Sequence, residues 1–168
     1  MVIRPAQLSD LFALRELSID AFRNAYADEN TPEDMRLYIS AHFSEEALLE
    51  ELNDPHKHFI LAFDNDELVG YAKLNLKSEQ QYGLEHSLEI ARLYTKPQRI
   101  GQGIGKQLVA SVEEYARIHK HDAIWLGVWQ RNFRAVNFYQ REGFRITGTL
   151  QFVLGVDVQD DFLMLKRV

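Results

Sequence analysis

The 168-residue chain has no cysteine. That excludes disulfides, thiolate metal ligands and any covalent intermediate on a thiol. Long apolar runs are also missing: no window approaches the ~18 apolar residues of a membrane-spanning helix. The opening residues, MVIRPAQLSD, lack an apolar signal core, so a soluble, cytoplasmic protein with no membrane partner is expected. Basic residues are in deficit, 19 Lys and Arg against 25 Asp and Glu for a net charge of -6. Such a balance argues against nucleic acid as a partner. Internal repeats, low-complexity tracts and linkers are absent too. At this length, with 46% hydrophobic residues, the chain can fill one core but not two, and a single domain over 1–168 is expected.

Charge is distributed unevenly. Residues 1–64 carry 13 acidic and 5 basic side chains, whereas residues 96–150 carry 4 acidic and 9 basic. Either these are solvated helix faces, or the second half holds an anionic ligand and the first receives a cationic one.

The most informative stretch is Leu88 to Val109, LEIARLYTKPQRIGQGIGKQLV. An apolar strand pattern (Leu88, Ile90, Leu93, Tyr94) breaks at Pro97, crosses Gly101, Gly103 and Gly105, and enters a helical pattern. Glycines let a backbone approach a ligand closely, and the unpaired amides of a helix start attract an anion, aided by the helix dipole. Arg99 and Lys106 add cations on either side, so the simplest ligand is a phosphorylated cofactor; the alternative is a turn and nothing more. Spacing removes two rivals. A mononucleotide P-loop requires Ser or Thr after Gly-Lys, but Gln107 follows Lys106; a dinucleotide fingerprint requires G-x-G-x-x-G, but the pattern here is G-x-G-x-G.

In chain order, Val2 to Pro5 reads as a strand, and Ser9 as the cap of a helix burying Leu14, Leu17 and Ala21. Thr31-Pro32-Glu33-Asp34 starts a second helix and Ser44-Glu45-Glu46 a third, which stops near Pro55. The acid- and aromatic-rich segment from Ala21 to Phe43 either packs helices or lines a pocket for an apolar-stemmed cation, with Tyr26, Glu29 and Tyr38 as its candidate residues. Strands at His58 to Phe63 and Leu68 to Leu76 join across Asp64-Asn65-Asp66. Ile104, Leu108, Val112 and Tyr115 share a helical face. Ala123 to Trp129 is a strand, Asn132 to Glu142 a short helix ended by Gly143, and Phe144 to Leu150 and Phe162 to Leu165 are the last strands. Strands alternating with helices predict an α/β sandwich around a mixed sheet.

From Asn132 the sequence reads NFRAVNFYQREGF, with Ala135, Phe138 and Tyr139 on one helical face. Together with the upstream QRIGQGIG, it resembles the GCN5-related N-acetyltransferases, the GNAT superfamily, over nearly the whole chain. LSIDAF, ENTPEDMRLYI, SLEIARLY and IWLGVW look like the PaiA-type members, which act on spermidine and spermine. The resemblance implies the GNAT acyl-CoA N-acyltransferase fold, a mixed central sheet of about six to seven strands flanked by helices. It also implies acetyl-CoA as cofactor, a small-molecule amine as substrate, and a monomer or homodimer. By the same resemblance the open edge of the central strand at Leu93, Tyr94 and Thr95 holds the pantetheine arm. The amides of Ile100, Gly101, Gln102, Gly103, Ile104, Gly105 and Lys106 then hold the pyrophosphate, and Asn132 and Asn137 hold the cofactor further along. One departure stands out: Ile100 occupies the place where the family usually has Gln or Arg, and a two-residue shift would bring Gln98 there instead.

Tyr139 matches the family's tyrosine near the cofactor sulfur, where a departing thiolate benefits from a proton donor; read without the motif, it is a core aromatic. The acceptor poses a second requirement. An alkylammonium has a pKa of roughly 10.4, so at neutral pH it must lose a proton before it is a nucleophile. Glu89 matches the catalytic glutamate of GCN5-type members and is the candidate base; the same carboxylate can instead bind a second ammonium of the substrate or pair with Arg92. With no cysteine, the acetyl group passes directly to the amine in a ternary complex, helped by positioning and by a backbone amide, that of Leu93 in the family, which polarises the carbonyl. His56 with His58 and His119 with His121 are two residues apart, but nothing completes a ligand set, and no metal is assigned. Three other readings remain: a different small amine, a peptide amine, and a non-catalytic CoA-binding regulatory module.

Overall fold

The computed structural model describes residues 1–77 and 85–168. A seven-stranded mixed sheet forms its middle, in the order β1-β2-β3-β4-β5-β7-β6. The strands are β1 (Val2–Pro5), β2 (Lys57–Asp64), β3 (Glu67–Asn75), β4 (Ser87–Thr95), β5 (Ala123–Trp129), β6 (Arg145–Leu154) and β7 (Asp157–Arg167). Every neighbouring pair is antiparallel except β4 and β5. Helices α1 (Leu11–Tyr26), α2 (Pro32–His42) and α3 (Glu45–Asn53) cover one face; α4 (Ile104–Ile118) and α5 (Phe133–Arg141) cover the other.

Local chemistry explains most boundaries. Thr31 and Ser44 each accept a hydrogen bond from the backbone three residues on, Asp34 N at 3.1 Å and Ala47 N at 3.2 Å, and so cap α2 and α3 as expected. Asn65 and Asp66 both take positive φ, 48° and 65°, the conformation of a two-residue hairpin turn. Gly143 ends α5 at φ 91°. Ser9 is not a cap. It lies inside a 3-10 turn, Leu8–Asp10, and Asp10 does the anchoring by accepting from Gln7 N at 2.7 Å and pairing with Arg4 at 2.8 Å.

The last two strands run further than expected, to Leu154 and from Asp157, because the chain continues through a tight hairpin at Gly155-Val156. Asp34 stabilises that tip. Its Oδ1 accepts from Val156 N at 3.1 Å, and a Cβ on Gly155 would collide with the Asp34 side chain. This clasps the start of α2 to the end of β6.

Under α4 the core is aliphatic, with Leu74, Leu88, Leu108, Val109, Val112 and Ile124 all fully buried. Gly70 on β3 lets the helix sit close: a Cβ there would lie 2.8 Å from Ile104 Cγ2 and 3.0 Å from the Tyr94 carbonyl oxygen. On the other face Phe22, Phe43 and Leu48 fill the space beneath α1–α3. That side also buries a charge cluster. Glu51 accepts from Lys73 Nζ at 2.7 Å and from both terminal nitrogens of Arg92 at 2.8 and 3.1 Å. Burial alone would raise the Glu51 carboxyl, but Arg92 and Lys73 outweigh it and hold it below its ordinary value of 4.5.

The Lys73 and Arg92 side chains are only 7% and 8% exposed, so removing their shared partner strands two cations out of water. Glu51→Ala is therefore expected to cost about 3–5 kcal/mol in urea unfolding. The Glu51 pKa is lowered in the folded chain, so its contribution is present above pH 4.5 and is lost as pH falls below that value. The gap between wild type and variant should accordingly shrink on acidification.

Candidate active site

Only three residue pairs join β4 to β5, Ser87–Glu89 with Ala123–Trp125. Beyond them β4 stays paired to β3 as far as Thr95, and β5 stays paired to β7 as far as Trp129. Each outer partner holds its strand, so the two inner edges part and leave residues 90–95 without a ladder partner on that side. A bulge sharpens the divergence: Ile90 pairs with Leu74 and Arg92 with Lys73, leaving Ala91 as the extra residue. The bulge also sets the facing of the strand. Leu88, Ile90 and Leu93 join the core under α4, whereas Arg92 and Tyr94 pack among the residues beneath α1–α3, and Glu89 faces that way beside Asn75.

A cleft of about 830 Å³ opens where the strands part. At one end stands the glycine loop. Gly101 and Gly103 take φ of 86° and 80°, and an added Cβ at either would meet nothing within 4 Å. These two glycines are therefore needed for backbone conformation, and their outer face is open. Gly103 is the N-cap of α4 and provides no side-chain cap. The first-turn amides of the helix are thus left to an external acceptor, at the positive end of the helix dipole. Gly105 has a different task. Its Cβ would lie 3.2 Å from Phe138 Cζ, so it permits α4 and α5 to approach each other.

The expected cations divide. Arg99 pairs with Asp64 and Glu67 and donates to Gln102 Oε1 at 2.7 Å, which ties the loop to the β2–β3 hairpin. Lys106 is exposed at the first turn of α4. An amide-lined turn with space above it, beside an unpaired strand edge, suits a phosphorylated ligand with an extended amide-bearing arm.

Across the gap, Asn132 caps α5 by accepting from Ala135 N at 3.2 Å, and it lines the cleft. Tyr139 lines it as well and is 8% exposed, set edge-on to Phe138 and Phe144. Burial pushes its hydroxyl well above its ordinary value of 10, so it stays protonated at neutral pH. The other end of the cleft is aromatic and acidic. Tyr26 stacks on Trp129 at 5.4 Å and on Phe152 at 5.9 Å, and Tyr38 lies 5.6 Å from Phe152. Glu89, half-buried, accepts from Asn75 Nδ2 at 2.6 Å.

Most of the sequence candidates meet here. Glu89, Tyr139, Tyr26, Tyr38 and Asn132 line one continuous space with Leu93, Tyr94, Thr95, Ile100, Gly101, Gly103, Ile104, Gly105 and Lys106. Three candidates do not line it. Asn137 is exposed on α5, Gln102 is exposed and engaged by Arg99, and Glu29 pairs with Arg131 at 2.9 Å. Arg92 lines the cleft but directs its guanidinium at Glu51, the partner the sequence did not reveal. Of the histidines, His58 stacks on Tyr115 and Tyr115 on His119, at 4.6 and 4.1 Å. Among the described residues no three His, Cys, Asp or Glu side chains gather as a metal site, and no helix is long and apolar enough to cross a membrane.

Among the lining residues that the sequence reading did not name is Asp161 on β7. The visible signal was the Asp160-Asp161 doublet between Val158 and Phe162, where strand alternation must turn one of the two acids inward. Missing the full length of β7 hid it.

Residues 12–144 match the model of the acetyltransferase (GNAT) family. An uncharacterised N-acetyltransferase of Lactobacillus delbrueckii subsp. lactis is 34% identical over 95% of this chain and 92% of its own length. A spermidine N(1)-acetyltransferase of Thermoplasma acidophilum is 26% identical over 98% of this chain and 96% of its own. The crystal structure of the PaiA N-acetyltransferase of Thermoplasma acidophilum in complex with coenzyme A superposes with a TM-score of 0.84 at 25% identity, covering 99% and 98% of the two chains.

Replacing Gly101 or Gly103 by alanine forces a left-handed L-residue into the loop. Each change is expected to cost about 1–2 kcal/mol of stability in denaturant unfolding. Coenzyme A affinity, read by calorimetry, should weaken alongside as the loop relaxes away from its open-faced conformation.

Proposed function

Because the chain belongs to the GNAT acetyltransferase family and is an acetyl-CoA-dependent N-acetyltransferase, we propose that its acceptor is a small primary amine bearing further positive charge, a polyamine such as spermidine or spermine. The observation that carries this reading is the cleft itself. One end offers backbone amides to an anion, and the other offers carboxylates and aromatic faces to a cation. The named activity of the Thermoplasma relative supports the same choice.

The open-faced turn and unpaired strand edge fit coenzyme A on two counts: nothing lies within 4 Å of where a Cβ on Gly101 or Gly103 would sit, and the edge of β4 past Glu89 lacks a ladder partner among the described residues. In this reading the amides of Gly101 and of Gly103 through Lys106 bind the diphosphate. Leu93, Tyr94 and Thr95 pair their backbone with the amide-bearing arm. Asn132 and Lys106 border the same ligand. When bound, the cofactor supplies an acetyl group activated as a thioester.

The remaining chemistry falls to side chains. The acceptor arrives as an ammonium and must react as a free amine, and the carboxylate of Glu89 takes its proton, directly or through water. The bond to Asn75 fixes the orientation of that carboxylate. Tyr139 keeps its proton at neutral pH and donates a hydrogen bond toward the departing sulfur. Tyr26 and Tyr38 wall the acceptor side, where ring faces attract an ammonium.

Thiol release from acetyl-CoA with spermidine as acceptor tests the reading directly. Wild type should turn over, and Tyr139→Phe and Glu89→Gln should each lower kcat by about 10²-fold while leaving coenzyme A affinity in place. Tight cofactor binding with no turnover on any of a panel of amines would instead identify a regulatory module.

A further inference from the structure

On β7, Asp161 is 8% exposed, and its Oδ1 has no hydrogen-bond partner among the described residues. A buried carboxylate oxygen in that state carries a cost that folding alone does not recover. It contrasts with Glu51, whose carboxylate is surrounded by two cations. Asp161 also lines the cleft, on the face that carries Trp129 of β5, its register partner. Gly127 keeps the approach open, since a Cβ there would lie 3.3 Å from Asp161 Oδ2. Tyr26 from α1 and Tyr38 from α2 sense the charge of Asp161, and Asp160 lies beside it in the chain.

Position along the strands sets the scale. Glu89 is the register partner of Trp125, where β4 and β5 are still joined, and Asp161 is the partner of Trp129. The two acids are therefore offset by four residues along β5, about 13 Å at ~3.3 Å per residue, and by two strand spacings across it, about 10 Å, or roughly 16 Å between their backbone positions. The rings of Tyr26, Trp129 and Phe152 stack together at the Asp161 end, and both acids line the same cleft. Two separated acids in one cleft, with aromatic faces beside the second, match a flexible methylene chain that carries a cation at each end.

We propose that Asp161 is the receptor for the acceptor's distal ammonium, so that the enzyme selects amines by a second positive charge at the far end of an extended polyamine from the nitrogen that reacts at Glu89. This deepens the polyamine reading above and rests on it. Burial, with Asp160 adding to it, pushes the Asp161 carboxyl up to about 7. A bound ammonium supplies the missing counter-charge and donor, which draws the group back to its ionised form. A monoamine such as hexylamine has no second ammonium, leaves Asp161 unsatisfied and gains only apolar contact.

The test compares spermidine with hexylamine as acceptors for wild type, Asp161→Asn and Asp161→Glu, at saturating acetyl-CoA. For spermidine, Asp161→Asn should raise KM about 10- to 100-fold with kcat changed less than about threefold, and Asp161→Glu should recover part of the loss. For hexylamine, KM should be the same in wild type and Asp161→Asn. Equal losses on both amines, or a fall in kcat with KM unchanged, would overturn the proposal in favour of a structural or proton-accepting role. Calorimetric binding of spermidine separates the two levels of inference. Uptake by wild type that weakens by the same factor in Asp161→Asn, without turnover by either, would leave the receptor standing and remove the enzymatic reading. No uptake by wild type would remove the receptor.

Discussion

The parting of β4 from β5 is the constraint on which the site depends. Parallel strands joined by only three residue pairs are cheap to separate, yet here the separation is enforced from outside, because β3 holds β4 as far as Thr95 and β7 holds β5 as far as Trp129. The aliphatic core under α4 fastens the closed end of the fork through Leu88, Ile90, Ile124 and Leu126. What results is a rigid wedge whose inner edges offer unsatisfied backbone groups to a ligand, in the way a sheet edge accepts an added strand. The bulge at Ala91 belongs to the same device. It turns Glu89 and Arg92, three residues apart, onto one face and leaves Leu93 on the other. A strand without a bulge would place those two on opposite faces.

Two buried carboxylates on the acceptor side show how the fold sorts charge. Glu51 is surrounded by Lys73 and Arg92, with the Phe43 ring 4.9 Å from the guanidinium. Its carboxylate is satisfied internally, and the cluster braces α3 against the sheet. Asp161 has an oxygen with no partner among the described residues and stands in the wall of the cleft. The first arrangement is complete without a ligand; the second is completed by one.

The acidic amino-terminal half and the basic stretch after β4 also find their places. The loop's own cation, Arg99, is neutralised by the β2–β3 hairpin acids Asp64 and Glu67. Anion attraction at the start of α4 consequently falls on main-chain amides and the helix dipole more than on side-chain charge. Asp34, by clasping the β6–β7 tip, fixes the start of α2 and with it the wall that Tyr38 contributes.

Local signals determined a good deal. The caps at Thr31 and Ser44, the positive-φ turn at Asn65-Asp66, the glycine loop ahead of α4 and the asparagine-led α5 were all legible, because each is a contract between residues a few positions apart. So was the family, whose two motifs are contiguous in the chain. Tertiary structure alone decided what lies between distant segments: that β7 inserts between β5 and β6, that Gly70 makes room for Ile104, that Arg92 turns to Glu51, and that Asn137 and Glu29 lie away from the cleft. Asp161 belongs with these. One acid of a doublet turns inward by strand alternation, but only the pairing of β7 with β5 sets it beside Trp129 and in the wall of the cleft. Periodicity and capping act over a few residues, whereas register and the order of strands are fixed by which surfaces bury together.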